Sequence, residues 1–173
     1  MAAELNPVLA DVPAMSPELR KVYDVLRELL GEQAPPEGEH DLVVGAFAGF
    51  KPLSVHRLAM KGVQKHLARK FSSAFLLLPR KEVLRVIGVS ERTLQRAEDD
   101  DVLDPNASDR LLRLAAVIEQ AIEVLRSQEA AEAWLERPAI ALDRNRPMDL
   151  LETFEGTELV KTLLQRMDYE IYF

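Results

Sequence analysis

Apolar residues recur along most of this chain at intervals of three and four, the spacing that turns one face of a helix toward a core. The first such stripe is Leu19, Val22, Tyr23, Leu26, Leu29 and Leu30. Ser16 is placed to cap that helix, Pro17 suits its first turn, and Gly31 ends it. From Ser54 to Phe71 the pattern turns Val55, Leu58, Ala59, Val63 and Leu67 inward. It leaves Arg57, Lys61, Lys65, Arg69 and Lys70 for solvent, and Gly62 permits a break. Phe75 to Leu78 is a short apolar run stopped by Pro79.

A long helix is expected from about Asp109 to Arg126, capped by Ser108, with Leu111, Leu114, Ala115, Ile118, Ile122 and Leu125 on its buried face. Ser127 caps the next helix, which carries Trp134 and Leu135 and ends before Pro138. A loop covers Ala139–Pro147. Pro147 opens a short helix through Leu151, and Thr153 caps the last one, where Val160, Leu163, Leu164 and Met167 share a face. Strand-like alternation is scarce, with short runs such as Asp41–Ala48 ambiguous. Gln33–His40, with Pro35, Pro36 and Gly38, reads as a flexible linker, and the first 15 residues as loosely held. The expected fold is all-α.

At 173 residues and 47% apolar composition, the chain has the material for one compact domain or two small ones. It has no cysteine, which excludes a disulfide framework and a thiolate zinc site and makes a reducing cytoplasm the natural location. No apolar run approaches the roughly 18–20 residues of a membrane span, and the start Met1-Ala2-Ala3-Glu4-Leu5 lacks the features of a secretory signal.

Charge changes the picture. The net value of −7 argues against a nucleic-acid partner, but the distribution is uneven. Residues 1–50 carry 3 basic and 9 acidic side chains, residues 51–97 carry 11 and 2, and residues 98–173 carry 8 and 18. Local charge governs phosphate binding, so the basic block is either a DNA-facing surface or a solvated one without a partner.

Within that block, Lys81 to Arg96 has the arrangement of a helix-turn-helix. Gly88 stands where the tight turn needs a left-handed residue, and Ser90 can cap the second helix. Val83, Ile87, Val89, Leu94 and Ala97 fit the apolar positions that set the crossing of the two helices. Glu91, Arg92, Thr93, Gln95 and Arg96 remain polar at the end that enters the major groove in this motif. Arg92, Gln95 and Arg96 have the donors that read guanine and adenine edges, while Ser90, Thr93, Lys61 and Lys65 suit phosphate. An ordinary helical hairpin with a polar outer face has the same local pattern.

Gly88-Val89-Ser90-Glu91-Arg92-Thr93-Leu94-Gln95-Arg96, followed by Ser108-Asp109-Arg110-Leu111-Leu112-Arg113-Leu114-Ala115, resembles the Xre-type (ParS/MbcA-like) antitoxins encoded beside RES-domain toxins. Ala133-Trp134-Leu135, Pro138 to Leu142, Arg146 to Thr153, Glu155-Gly156 and Val160 to Tyr172 are similar, in the same order, to that family's toxin-binding domain. The resemblance covers roughly Phe50 to Phe173. It implies an all-α homodimer that binds operator DNA, represses its own operon and blocks a toxin that consumes NAD, either by degrading it or by transferring its ADP-ribose. It places the inhibitory end at Asp168, Tyr169, Glu170, Ile171, Tyr172 and Phe173, with Trp134 and Arg146 on the surrounding surface. The family often has glycines after the leucine that matches Leu142. Here Asp143-Arg144-Asn145 follow, and Asn145 is the residue expected to turn left-handed.

Three aromatic residues among the last five point the same way on physical grounds. They either fold back on the last helix or meet a partner.

The resulting division is an N-terminal extension with one helix at 1–50, a helix-turn-helix domain at 51–107 and a helical toxin-binding domain at 108–173. Catalysis finds no support. His40, His56 and His66 lack metal-ligand spacing, Glu98-Asp99-Asp100-Asp101 lacks a calcium-loop glycine, and there is no phosphate loop or serine elbow. No cofactor, metal or membrane partner is expected. The runner-up reading is a stand-alone helix-turn-helix repressor without a toxin, followed by an adaptor that has lost DNA binding.

Overall fold

The computed structural model describes residues 15–30, 52–98 and 100–171, with backbone alone for 169–171. The expected linker at 33–40, the run at 41–48, Gly31 and nearly all of the first 15 residues lie outside the described residues. Among the described residues are α1 (Pro17–Leu29), α2 (Pro52–Lys61), α3 (Lys65–Ser73), α4 (Arg80–Ile87), α5 (Glu91–Gln95), α6 (Pro105–Leu125), α7 (Gln128–Leu135), α8 (Pro147–Leu150) and α9 (Phe154–Ile171), with a 3₁₀ turn at Ile140–Leu142. These residues contain no strand, and one isolated bridge joins Gln64 to Val102. The all-α expectation holds.

Local caps account for several boundaries. The hydroxyls of Ser16, Ser90 and Ser127 accept from the amides of Leu19, Thr93 and Ala130, each three residues on. Thr153 Oγ1 accepts from Gly156 N at 3.1 Å and starts α9.

The core centres on α6, which packs against α2, α4, α7 and α9. Helix α1 buries Leu19, Val22, Tyr23 and Leu26 and packs against α3. The Tyr23 hydroxyl donates to Ala115 O of α6 at 2.7 Å, and Arg27 pairs with Glu119. Burial pushes the Tyr23 phenol well above its ordinary pKa, so it stays a proton donor. The N-terminal helix thus shares the core of the rest of the chain.

Two expectations need correction, and the break that Gly62 permits is present. Helix α6 starts a turn earlier than Asp109. Asp104 caps it by accepting from Ala107 N at 3.0 Å, and Pro105 fills the first turn. Ser108 is buried inside the helix, where its hydroxyl accepts from Val63 N at 2.9 Å and donates to Leu103 O at 3.4 Å. Gly62 does break the 54–71 stretch, as its backbone freedom allows, at φ 93°, where the chain runs against 102–103. A Cβ at Gly62 would stand 2.7 Å from Leu103 O. Leu103 N then donates to Val63 O, and Lys65 N to Asp101 O, both at 2.8 Å. The second correction is that the left-handed residues after Leu142 are Asp143 (φ 51°) and Arg144 (φ 62°), and Asn145 is not among them. Asn145 instead closes the loop, its side-chain amide donating to Leu142 O at 2.9 Å.

One buried carboxylate positions the approach to α4. Glu132 on α7 accepts from Leu76 N at 2.9 Å and Leu78 N at 2.8 Å, and also from Leu77 N. Gln128, one turn earlier, donates to Glu132 at 2.6 Å and to Ala74 O at 3.0 Å, and accepts from Ser16 N at 2.8 Å. Two side chains of α7 thus hold the start of α1 and the 74–78 segment. With its amides turned inward, that segment leaves Leu76 and Leu77 half exposed.

Helix α9 crosses α8 at a glycine. The Leu150 carbonyl leaves no room for a Cβ at Gly156. Val160 and Leu164 are fully buried, and Leu163 and Met167 are packed against the core in part. The helix then continues to Ile171, so the backbone does not reverse before that residue.

Candidate functional sites

The turn between α4 and α5 is built as its residues dictate. Gly88 adopts φ 80° and ψ 29°, and Val89 N reaches back to Leu84 O at 3.1 Å. Leu94 is fully buried and pins α5 to the core. Every other side chain of α5 is exposed, as is that of Arg96. Ser90 Oγ lies 2.7 Å from Thr93 Oγ1, so these two hydroxyls engage each other at the start of the helix. Glu91 pairs with Arg80 at 3.5 Å.

The basic block divides into two sets. Lys65 pairs with Asp101 at 3.2 Å, and Arg85 joins Glu82, Asp149 and Glu152. Arg69, expected in solvent, turns inward and donates to Leu94 O and Ala97 O. Arg57, Lys61, Lys70, Lys81, Arg92 and Arg96 are exposed and make no ion pair among the described residues. The free cations therefore include both arginines of the α5 segment.

A second cluster joins α4 to the α7–α8 region. Arg146 binds Asp149 at 2.7 Å and Glu136 at 3.0 Å and lies 3.6 Å from Glu82. Arg85 binds the same Asp149 at 3.0 Å. The hydrogen bond from Arg146, with the charges of Arg146 and Arg85, holds the Asp149 carboxyl below its ordinary pKa, and the bond to Asp149 raises that of Arg146.

The other residues singled out for a partner are dispersed. Trp134 is half-buried against the core, and Asp168 is half-buried on α9. Tyr169, Glu170 and Ile171 lie on the last turn of α9 by backbone, and Tyr172 and Phe173 lie outside the described residues. The sequence reading missed Glu132, Arg69 and Arg85 as organising groups. For Glu132, the signal was a Gln-Glu pair four apart on the face of α7 that also holds Leu135. Among the described residues no group of His, Asp and Glu is arranged for a metal, and no helix is long and apolar enough to cross a membrane.

This architecture is a helix-turn-helix unit running through α6 into a C-terminal helical unit. Residues 54–116 match the antitoxin Xre-like helix-turn-helix domain, and residues 120–169 match the antitoxin Xre/MbcA/ParS C-terminal toxin-binding domain. An antitoxin Xre of Yersinia enterocolitica (serotype O:8 / biotype 1B) is 29% identical over 97 residues, which cover 55% of this chain and 66% of the relative. The chain belongs to the Xre-type antitoxins of toxin–antitoxin systems. Both the expected boundary at 107/108 and the junction of the two matched regions fall within α6.

Proposed function

We propose that this chain is a cytoplasmic, non-catalytic, homodimeric antitoxin that inhibits a RES-type, NAD-consuming toxin and represses its own operon. The observation that carries the reading is the order of the two matched domains on one helical core, a DNA-binding type followed by a toxin-binding type. For DNA, the exposed side chains of Arg92, Gln95 and Arg96 have base-reading donors, and Ser90, Thr93 and Lys61 suit phosphate. Glu91 flanks them at the helix start. Lys65 joins them only by leaving Asp101.

For the toxin, the segment Asp168–Phe173 is the inhibitory element, with Trp134 and Arg146 in the surrounding surface. The last core-packed side chain described on α9 is Met167, and the aromatic residues of the tail follow it. Aromatic side chains bring large apolar area at small entropic cost to a concave nucleotide site.

The test deletes Tyr169–Phe173 and measures NAD consumption by the product of the neighbouring reading frame, with matched amounts of full-length and truncated chain. Inhibition should fall by at least tenfold, while binding to the upstream DNA stays within about twofold. Equal inhibition by the truncated chain refutes the tail mechanism. A neighbouring product that inhibits growth without consuming NAD refutes the RES assignment and leaves the antitoxin assignment standing.

A further inference from the structure

Helix α5 has five residues, far fewer than a helix needs to persist alone in water. Its geometry must therefore come from outside. Ser90 caps the start and Leu94 fastens the inner face. The other end is held from a different helix. The Arg69 guanidinium of α3 donates to Leu94 O and, at 3.3 Å, to Ala97 O. A cation here also complements the negative end of the helix dipole. Arg69 Nε is fully shielded from solvent and has no hydrogen-bond partner among the described residues, so the base of the guanidinium is directed into the protein. The two carbonyls flank Gln95 and Arg96 on either side, and both of those side chains are exposed.

We infer that Arg69 is a positioning residue for DNA reading: by gripping the carbonyls that flank Gln95 and Arg96, it sets the rotation of α5 that aims those two side chains. The inference rests on the DNA-binding reading above. Arg69 belongs to the basic block, but its charge is spent inside the protein. Its anchor is firm, because α3 is held by the Lys65 N–Asp101 O bond and by buried Leu67, Ala68 and Phe71. One nitrogen, Nη2, makes both bonds, its two hydrogens serving the two carbonyls.

The experiment uses the full chain, a duplex from the region upstream of its own reading frame, and a scrambled duplex of equal length. In Arg69→Met, affinity for the upstream duplex should fall about tenfold, while affinity for the scrambled duplex and the salt slope on it stay unchanged. The Arg69→Met, Arg96→Ala double variant should lose less than the product of the two single losses, because a misaimed Arg96 has little left to lose. Arg69→Lys, which keeps the charge and the donors, should recover most of the affinity. In the free protein, amide exchange at 94–97 should quicken in Arg69→Met.

Equal losses on both duplexes with a salt slope lower by about one unit would make Arg69 a phosphate contact and overturn the inference. Faster exchange with unchanged upstream affinity would overturn it as well. If Arg69→Met does not fold, Arg69→Gln, with one amide donor, replaces it under the same criteria. A wild-type chain that does not prefer the upstream duplex refutes the DNA-binding reading itself, and the exchange rates still report whether Arg69 holds α5.

Discussion

Arg92 and Arg96 on the α5 segment and Arg85 and Arg146 between α4 and α8 are the same side chain in opposite circumstances. The first pair is exposed and makes no ion pair among the described residues. The second sits among Glu82, Glu136, Asp149 and Glu152, with most of the N–O distances between 2.7 and 3.6 Å. An unpaired guanidinium keeps its donors for a ligand, whereas a paired one joins two parts of the fold. A count of basic residues along the chain makes no such distinction.

The sharpest way to break the comparison is to remove the free pair. Arg92→Ala with Arg96→Ala should abolish selective binding to the upstream duplex, each substitution costing about 1–3 kcal/mol where it reads a base. The midpoint of thermal unfolding should not move, since neither side chain holds anything in the fold. Unchanged DNA affinity, measured by anisotropy on folded protein, would refute the role assigned to α5.

The reciprocal experiment removes a paired arginine. Arg85→Met should lower stability by about 1 kcal/mol or less, as expected of a partly exposed network, and the loss should shrink at high salt. DNA affinity should stay within about twofold of wild type. A loss of DNA binding larger than the loss of stability would show that the two pairs do not differ as described.

The smallest effect is on pH. The pKa of Asp149 is depressed in the folded chain. Its contribution to stability is therefore fully present above the unfolded value of 3.8 and is lost as pH falls through the lower folded value. Urea midpoints of wild type and Asp149→Asn should differ slightly at neutral pH and converge below 3.8. A gap that widens on acidification would contradict the pairing.

The parts of this fold that could be read directly are those whose cause lies within three or four residues. Ser16, Ser90, Ser127 and Thr153 each cap an amide three positions on, and Gly88 makes the turn its backbone freedom allows. The amphipathic stripes of α1, α6 and α9 follow from the same short period. Asp104-Pro105 was a legible start signal of this kind for α6, but Ser108 offered a competing cap one turn later.

The misread residues act over long separations. Arg69 grips carbonyls 25 and 28 residues away, Glu132 holds amides 54 to 56 residues back, and Ser108 serves Val63 N across 45. Asp143 is of a type that tolerates positive φ, but Arg144 gave no warning of it. The bonds from Ala139 N to Asn145 O and from Arg144 N to Ala139 O impose it.

By itself, the sequence determined the helical class, the helix-turn-helix with its polar outer face, and the order of motifs that marks a toxin-binding antitoxin. These are encoded in spacing and in residue types that act on their neighbours. Tertiary structure alone decided which arginines are free and which are spent, and which buried carboxylate holds the approach to α4. It also decided that the helix at the start of the chain shares the core. Each of these depends on which distant side chain arrives within bonding distance, and only the packing of the helices brings them together.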